Sequence, residues 1–402
     1  MTETTAGTST IAGDVAPGFE SVRDVFEANA ADAGDGGFSY AVFHEGRKVV
    51  DLSAAAAGSD WTADSLPLWM SVTKAMTALC LQILWDRGKV DVDAPIATYW
   101  PEFAAAGKDA VTVADVMTHR SGVLGSADIT NIVSLEDGSG LERLTEIVDL
   151  LAAAKPVWEP GTQTGYHTIS YGWILGEVIR RIDGRRLDEF FSEEVARPLG
   201  VEASIGVPHE LHHRIPTILP NIWPDAMPDV LKEYMENVLA LARDPSTPAG
   251  ISCLARDGVG ALDRIPELFN SGPGRATPMG ASNLAGSASS VARIFAAIAE
   301  PDVLVSTRSV EYFTSVRNEE PDVVLLFPIS RALGYWRNRS LGRPQAMGPN
   351  EETFGHTGAG GQIGFCDPKA KVGAAFVRSH YTVFPLIYFL LNDAVYRVIG
   401  NA

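Results

Sequence analysis

Cysteine is scarce in this chain, with only Cys80, Cys253 and Cys366 among 402 residues. The number is odd, the spacing is wide and no Cys-x-x-Cys occurs. That argues against a disulfide framework and a cysteine-based zinc site, and predicts buried thiols. Positive charge is scarce too. The 32 Lys and Arg are outnumbered by 50 Asp and Glu, for a net charge of −18. Such a surface repels nucleic-acid phosphates and anionic lipid, so neither nucleic acid nor membrane is an expected partner. No apolar run reaches the ~18 residues that a membrane span needs. The stretch 384–398 is interrupted by Asn392, Asp393 and Arg397 and reads as an amphipathic core helix. Residues 1–8 are polar and lack a basic segment followed by an apolar one, so no signal peptide is expected and the predicted location is cytoplasmic.

What remains is an ordinary globular composition, 46% hydrophobic and 20% charged. The length predicts two domains, or one with a large insertion. Residues 1–16 read as a disordered tail. A helix is expected over 18–31, with Phe19, Val22, Val25 and Phe26 on one face. A strand over 38–43 turns through His44-Glu45-Gly46-Arg47 into a second over 48–52. A further helix starts near Ser71 and stops at Gly88. Beyond residue 90 the chain breaks into short pieces, with a capped helix over 111–117 and longer helices over 141–154 and 170–182. Residues 205–275 read as mostly helical, without a strand-pairing signal. A helix over 289–299, a hairpin of strands 362–366 and 372–377, and a terminal helix over about 384–399 complete the pattern. Strands at both ends with helices between them predict an α+β fold: an antiparallel sheet built from both termini, flanked by helices. The expected division is 1–95 with 276–402 as the sheet domain, and 96–275 as an inserted, mostly helical domain.

The most informative local feature is Ser71-Val72-Thr73-Lys74. Of eight lysines, only Lys74 has a serine three residues upstream. Three residues are close to one helical turn, so both side chains lie on the same face. A serine hydroxyl needs a base to become a nucleophile, and a lysine whose pKa burial has lowered can supply one. The flanks are apolar, so the helix enters a core, where a lysine is costly unless it is paired or functional. The same four residues also suit a plain serine N-cap. Three other segments carry polar groups in glycine-rich settings: Thr118-His119-Arg120-Ser121-Gly122; Trp158 to Thr168, where a Pro-Gly loop runs to Tyr166; and Gly355-His356-Thr357-Gly358-Ala359-Gly360-Gly361 before a strand. Tyr171 competes with Tyr166 but lies inside a predicted helix. His119 is read as holding its loop. His209, His212 and His213 have no nearby carboxylate or cysteine to complete a metal set, so they are read as a solvated loop.

Taken in order, Ser-x-x-Lys, the His-x-Ser-Gly-like turn, the Pro-Gly…Tyr loop and His-Thr-Gly resemble the serine β-lactamase and penicillin-binding protein superfamily. Within it the chain is similar to class C β-lactamases and, more closely, to family VIII carboxylesterases, over about residues 20–400. The resemblance implies Ser71 as nucleophile, assisted by Lys74. It implies Tyr166 as general base with Lys74 and then as acid to the leaving group, and the backbone N–H groups of Ser71 and Ala359 as oxyanion hole. It also implies His356, Thr357, Gly358, Thr168 and Trp336 around the substrate, with no metal and no cofactor.

Two departures matter. Thr168 stands where the family's Tyr-x-Asn asparagine would contact a lactam side chain. His356 replaces the lysine of Lys-Thr-Gly, and a mostly neutral histidine holds a substrate carboxylate poorly at pH 7. Both changes favour small, uncharged esters, as does the expected absence of an export signal. The alternatives are amide or β-lactam hydrolysis, acyl transfer by the same residues, and a non-catalytic binding protein on the same fold. Residues 205–275 and Tyr335-Trp336 are expected to wall the pocket, and neither the acyl nor the alcohol specificity is readable.

Overall fold

The structure, a computed structural model, describes residues 4–6, 9–220, 229–341, 345–381 and 386–400. Its main sheet has eight strands: β1 (Thr4–Ala6), β2 (Ser9–Val15), β3 (Gly37–His44), β4 (Arg47–Ala56), β7 (Trp336–Arg337), β8 (Phe354–Thr357), β9 (Ile363–Asp367) and β10 (Val372–Arg378), in the order β1-β2-β4-β3-β10-β9-β8-β7. The pairings are antiparallel. The two chain ends meet where β10 runs along β3, from Val372 opposite His44 to Arg378 opposite Phe38. Alternation along the strands divides the side chains between two layers. Phe38, Tyr40, Val42, Ala374 and Phe376 pack with α1 (Glu20–Ala28) and the terminal helix α8 (Leu386–Val398). Ala41, Ala375 and Val377 face the other core. There α7 (Ala288–Ala299) lies so close that a Cβ on Gly364 would meet the Phe295 ring at 2.3 Å, and one on Gly373 the Ala296 nitrogen at 2.4 Å.

The predicted helices over 111–117, 141–154 and 170–182 form as α3 (Val113–Met117), α4 (Leu144–Ala153) and α5 (Ser170–Asp183). The cap of α3 is reciprocal: Thr112 Oγ1 accepts the Asp115 N–H at 3.0 Å, and Asp115 Oδ2 accepts the Thr112 N–H at 2.9 Å. The central helix, α2 (Thr73–Asp86), is buried at every residue from Thr73 to Leu84. One hydrophobic cluster around it includes Val92, Ile96, Ile205, Phe269 and Phe295, and so runs across positions 95 and 276.

Two expectations about strands are corrected. Within 1–16, Ser9–Val15 is strand β2, paired with β4 from Ser9 opposite Ala56 to Val15 opposite Val50, and Thr4–Ala6 pairs with β2. Ile11 is wholly buried, so pairing and one apolar contact override a polar local composition. Residues 1–3 and 7–8 lie outside the described residues. A two-stranded sheet joins β5 (Ala203–Ile205) to β6 (Leu284–Gly286) and reaches Ile205, the edge of the segment expected to lack strands. The terminal helix is described from Leu386, so 384–385 lie outside the described residues.

Candidate active site

Ser71 sits in a turn just before α2. The chain enters that turn through Met70, held at φ +45°, a backbone conformation that is strained for a residue with a side chain. Contacts with 283–285 hold it there. Trp69 N–H donates to Leu284 O at 2.8 Å, and Met70 bridges Asn283. Thr73 Oγ1 donates to Met70 O at 2.6 Å and accepts the Leu284 N–H at 2.8 Å. Thr73 rather than Ser71 therefore makes the local polar contacts of the helix start, which frees the Ser71 hydroxyl.

Lys74 is completely buried. Its Nζ lies 3.2 Å from Ser71 Oγ, 2.8 Å from Thr168 O and 3.1 Å from Ala281 O. Burial drives its pKa well below the ordinary 10.5. A neutral amine has two N–H bonds and one lone pair. The two carbonyls take the hydrogens, which leaves the lone pair for the Ser71 O–H.

Tyr166 completes the group. It hydrogen-bonds Ser71, and its ring lies 4.7 Å below Lys74 Nζ. Burial pushes its phenol well above 10, so it stays protonated; the Ser71 hydrogen bond and the Arg331 charge oppose that shift without cancelling it. Long-range contacts place its loop. Asp322 Oδ1 accepts the Tyr166 N–H at 3.2 Å, and Ser252 Oγ donates to Tyr166 O at 2.6 Å. His119, at φ +65°, accepts the Gly165 N–H on its carbonyl at 3.0 Å and the His167 N–H on Nδ1 at 3.1 Å. His119 has the structural part read for it, and the loop that these bonds hold is that of Tyr166. Tyr171, the competitor, is wholly buried and directs its hydroxyl to Lys74 O at 3.3 Å.

The glycine-rich segment after β8 approaches from the other side. A Cβ on Gly358 would lie 2.6 Å from Trp69 O and 3.2 Å from Met70 Cβ, so only glycine permits the approach that brings Ala359 beside Ser71. Among the described residues, the N–H groups of Ser71 and Ala359 donate to no protein acceptor, and both residues border one cavity. Gly358→Ala is expected to lower kcat about 100-fold by displacing one such donor, with little change in the far-ultraviolet circular dichroism spectrum. A rate within a few-fold of the parent would remove this segment from the site.

The remaining candidates divide. Thr357, Gly358, Thr168 and Trp336 line the cavity. Thr168 is engaged: its N–H donates to Ser252 Oγ at 2.9 Å, and its Oγ1 lies 2.8 Å from the same oxygen, to which the threonine hydroxyl can donate while Ser252 donates to Tyr166 O. His356 does not line the cavity. It is buried behind it, 4.6 Å from the Trp336 ring, with Nδ1 2.6 Å from Thr357 O. Burial and the neighbouring Lys74 lower its pKa to about 3, so it is neutral. Tyr335 is in the core, donating to Gln82 Oε1 at 2.9 Å, and takes no part in the wall. His209 and His213 are exposed, and His212 Nε2 bonds Val207 O at 2.9 Å.

Several residues of the site had no readable signal. Asp322 and Arg331 form an ion pair, both buried, behind Tyr166, and Ser252 clamps both Tyr166 and Thr168. None of them sits in a motif. Only α6 (Asp229–Arg243), which forms one wall, left a trace, an apolar stripe at helical spacing.

A Ser–Lys–Tyr cluster, with the lysine and tyrosine buried, beside two free amide donors where a helix meets an antiparallel sheet, defines a serine hydrolase. The chain belongs to the Beta-lactamase family, which it matches over residues 22–381. It is 31% identical to the Esterase/beta-lactamase LipL of Mycobacterium tuberculosis, over 89% of this chain and 82% of that one. Among solved structures it is similar to a family VIII carboxylesterase (TM-score 0.81, 31% identity, covering 96% of this chain and 99% of that one). It is also similar to a penicillin-binding protein homologue from Caulobacter crescentus (TM-score 0.78, 30% identity, 96% and 99%). Among the described residues, no helix is long and apolar enough to cross a membrane.

Proposed function

We propose that this protein is a carboxylesterase that hydrolyses uncharged esters through an acyl-enzyme on Ser71. The observation that carries the reading is the buried Lys74 amine, held by two backbone carbonyls with Nζ 3.2 Å from Ser71 Oγ, where burial lowers its pKa well below 10.5 and favours the neutral form that can take the Ser71 proton. Ser71 Oγ attacks the ester carbonyl while its proton passes to Lys74 Nζ. The N–H groups of Ser71 and Ala359 stabilise the oxyanion. Collapse expels the alkoxide, which takes the Tyr166 proton, and Lys74 returns a proton to Tyr166. Water then enters by the same route and releases the acid.

Preference for neutral esters is supported by the charges around the cavity. Arg337 and Arg339 border it, but Arg337 donates to Thr314 O and Glu351 O, and Arg339 pairs with Glu319 at 2.8 Å. His356 carries no charge to hold a substrate carboxylate. The esterase names among the relatives agree with this preference. The same residues serve amide hydrolysis or acyl transfer, which a rate comparison separates. The kcat/KM for 4-nitrophenyl butyrate is expected to exceed that for the matching anilide at least about 1000-fold, because the poorer amine leaving group demands a protonation that the phenolate does not. Comparable rates on both would replace the esterase reading with an amidase one. A fluorophosphonate that leaves no mass increment at Ser71 would indicate a binding protein instead.

A further inference from the structure

The cavity beside Ser71 is larger and more apolar than ester chemistry alone requires. Its volume is about 760 Å³, room for a ligand of roughly 20 to 25 non-hydrogen atoms at the ~30 Å³ each that water occupies. In a protein with a net charge of −18, no Asp or Glu lines it among the described residues. The two arginines at its border already have partners.

One wall is unusual. In α6, Leu231, Tyr234, Met235, Val238 and Ala242 recur at i, i+3, i+4, i+7 and i+11, the apolar stripe that normally packs on a core. Here all five border the cavity, and only Val238 and Ala242 are buried. The Tyr234 hydroxyl donates to Leu325 O at 2.6 Å, which ties this helix to the facing segment. Ile265, Phe269, Phe327 and Phe389 border the same cavity, the Phe327 ring 6.1 Å from that of Tyr234. An apolar helix face turned to a cavity leaves its hydrophobic surface unsatisfied until an apolar group covers it.

Resting on the esterase reading, we propose that the substrate is an uncharged ester carrying an extended apolar group, on the order of eight to ten carbons, laid along the stripe of α6. The polar end at Ser71 supplies the chemistry, and the apolar wall selects the chain length.

The test is a chain-length series on both sides of the ester: 4-nitrophenyl acetate to decanoate, and butyl to decyl acetate, all kept below their micelle concentrations. Each methylene that leaves water can contribute up to about fourfold. At least one series is expected to gain 30-fold or more in kcat/KM between four and eight carbons. A decline beyond four carbons in both series overturns the proposal. That outcome leaves the esterase reading standing, whereas absence of Ser71-dependent hydrolysis of every ester removes both. Met235→Trp, which fills the groove, should lower the long-to-short ratio of kcat/KM at least 10-fold, while Met235→Leu keeps it. An unchanged ratio in a folded Met235→Trp protein refutes the placement along α6. Inhibition of the unsubstituted protein by alkyl boronic acids supplies a readout that needs no variant. At least 10-fold tighter binding from butyl to octyl is expected, and no gain overturns the proposal.

Discussion

Ser71→Ala is expected to lower kcat for 4-nitrophenyl butyrate by at least about 10⁴-fold, the scale on which removing an acyl-enzyme nucleophile acts. The fold should be untouched. Ser71 lies in a turn whose polar contacts are made by Thr73, and among the described residues its hydroxyl meets Lys74 and Tyr166. Loss of the side-chain oxygen leaves the Lys74 amine still bonded to Thr168 O and Ala281 O, and the Tyr166 hydroxyl, which gives up its Ser71 bond, borders the cavity. The melting temperature should stay within a few degrees of the parent, and the fluorophosphonate adduct should vanish from the intact mass. Retention of more than about a tenth of the parent rate would remove Ser71 from the chemistry.

Tyr166→Phe has the next largest effect, and its size depends on the substrate. If the phenol protonates the departing oxygen, an alkyl ester should lose about 10²–10⁴-fold in kcat, and a 4-nitrophenyl ester, whose leaving group needs no proton, considerably less. The ring stays packed against His119 at 4.7 Å and under Lys74 Nζ at 4.7 Å, so the variant should fold. The pH profile separates the two proton carriers. Lys74 must be neutral to act, and burial lowers its pKa well below 10.5, so kcat/KM should level off above that lowered pKa and fall as pH drops through it. The facing histidines do not interfere. Burial holds His119 well below its usual value, His167 at about 4 and His356 at about 3. Arg331 stays charged beside its Asp322 partner, and burial keeps the Cys253 thiol protonated up to about 11. Tyr166→Phe should therefore keep the acid limb. Equal losses on both esters, or disappearance of that limb, would reassign the general acid.

Local features of the sequence were readable where they depend on neighbours in the chain. The Ser71–Lys74 spacing is one helical turn, and the capping box of α3 and the hairpin of β9 and β10 form near their expected positions. The sequence favours Tyr166 over Tyr171 by family resemblance and by the Pro-Gly loop before it, but its placement is made by Asp322 and Ser252, 156 and 86 residues further along the chain. Strand β2 escaped because its identity lies in pairing with β4 and in burial of one isoleucine. His356 was expected against substrate because its motif position faces substrate in the resembling family; here the Trp336 ring lies against it and it does not reach the cavity.

The order of residues by itself determined which reactive groups exist, which of them share a helical turn, and that a neutral imidazole replaces a lysine before the glycine-rich strand. It also set the apolar stripe of α6. Only tertiary structure decided that the Lys74 pKa is lowered, that the Tyr166 pKa is raised, and that the stripe faces a cavity instead of a core. The physical reason is that desolvation depends on everything packed around a group. The walls that strip water from Lys74 come from α2, the Tyr166 loop and the 280s, segments that approach one another only after the chain has folded.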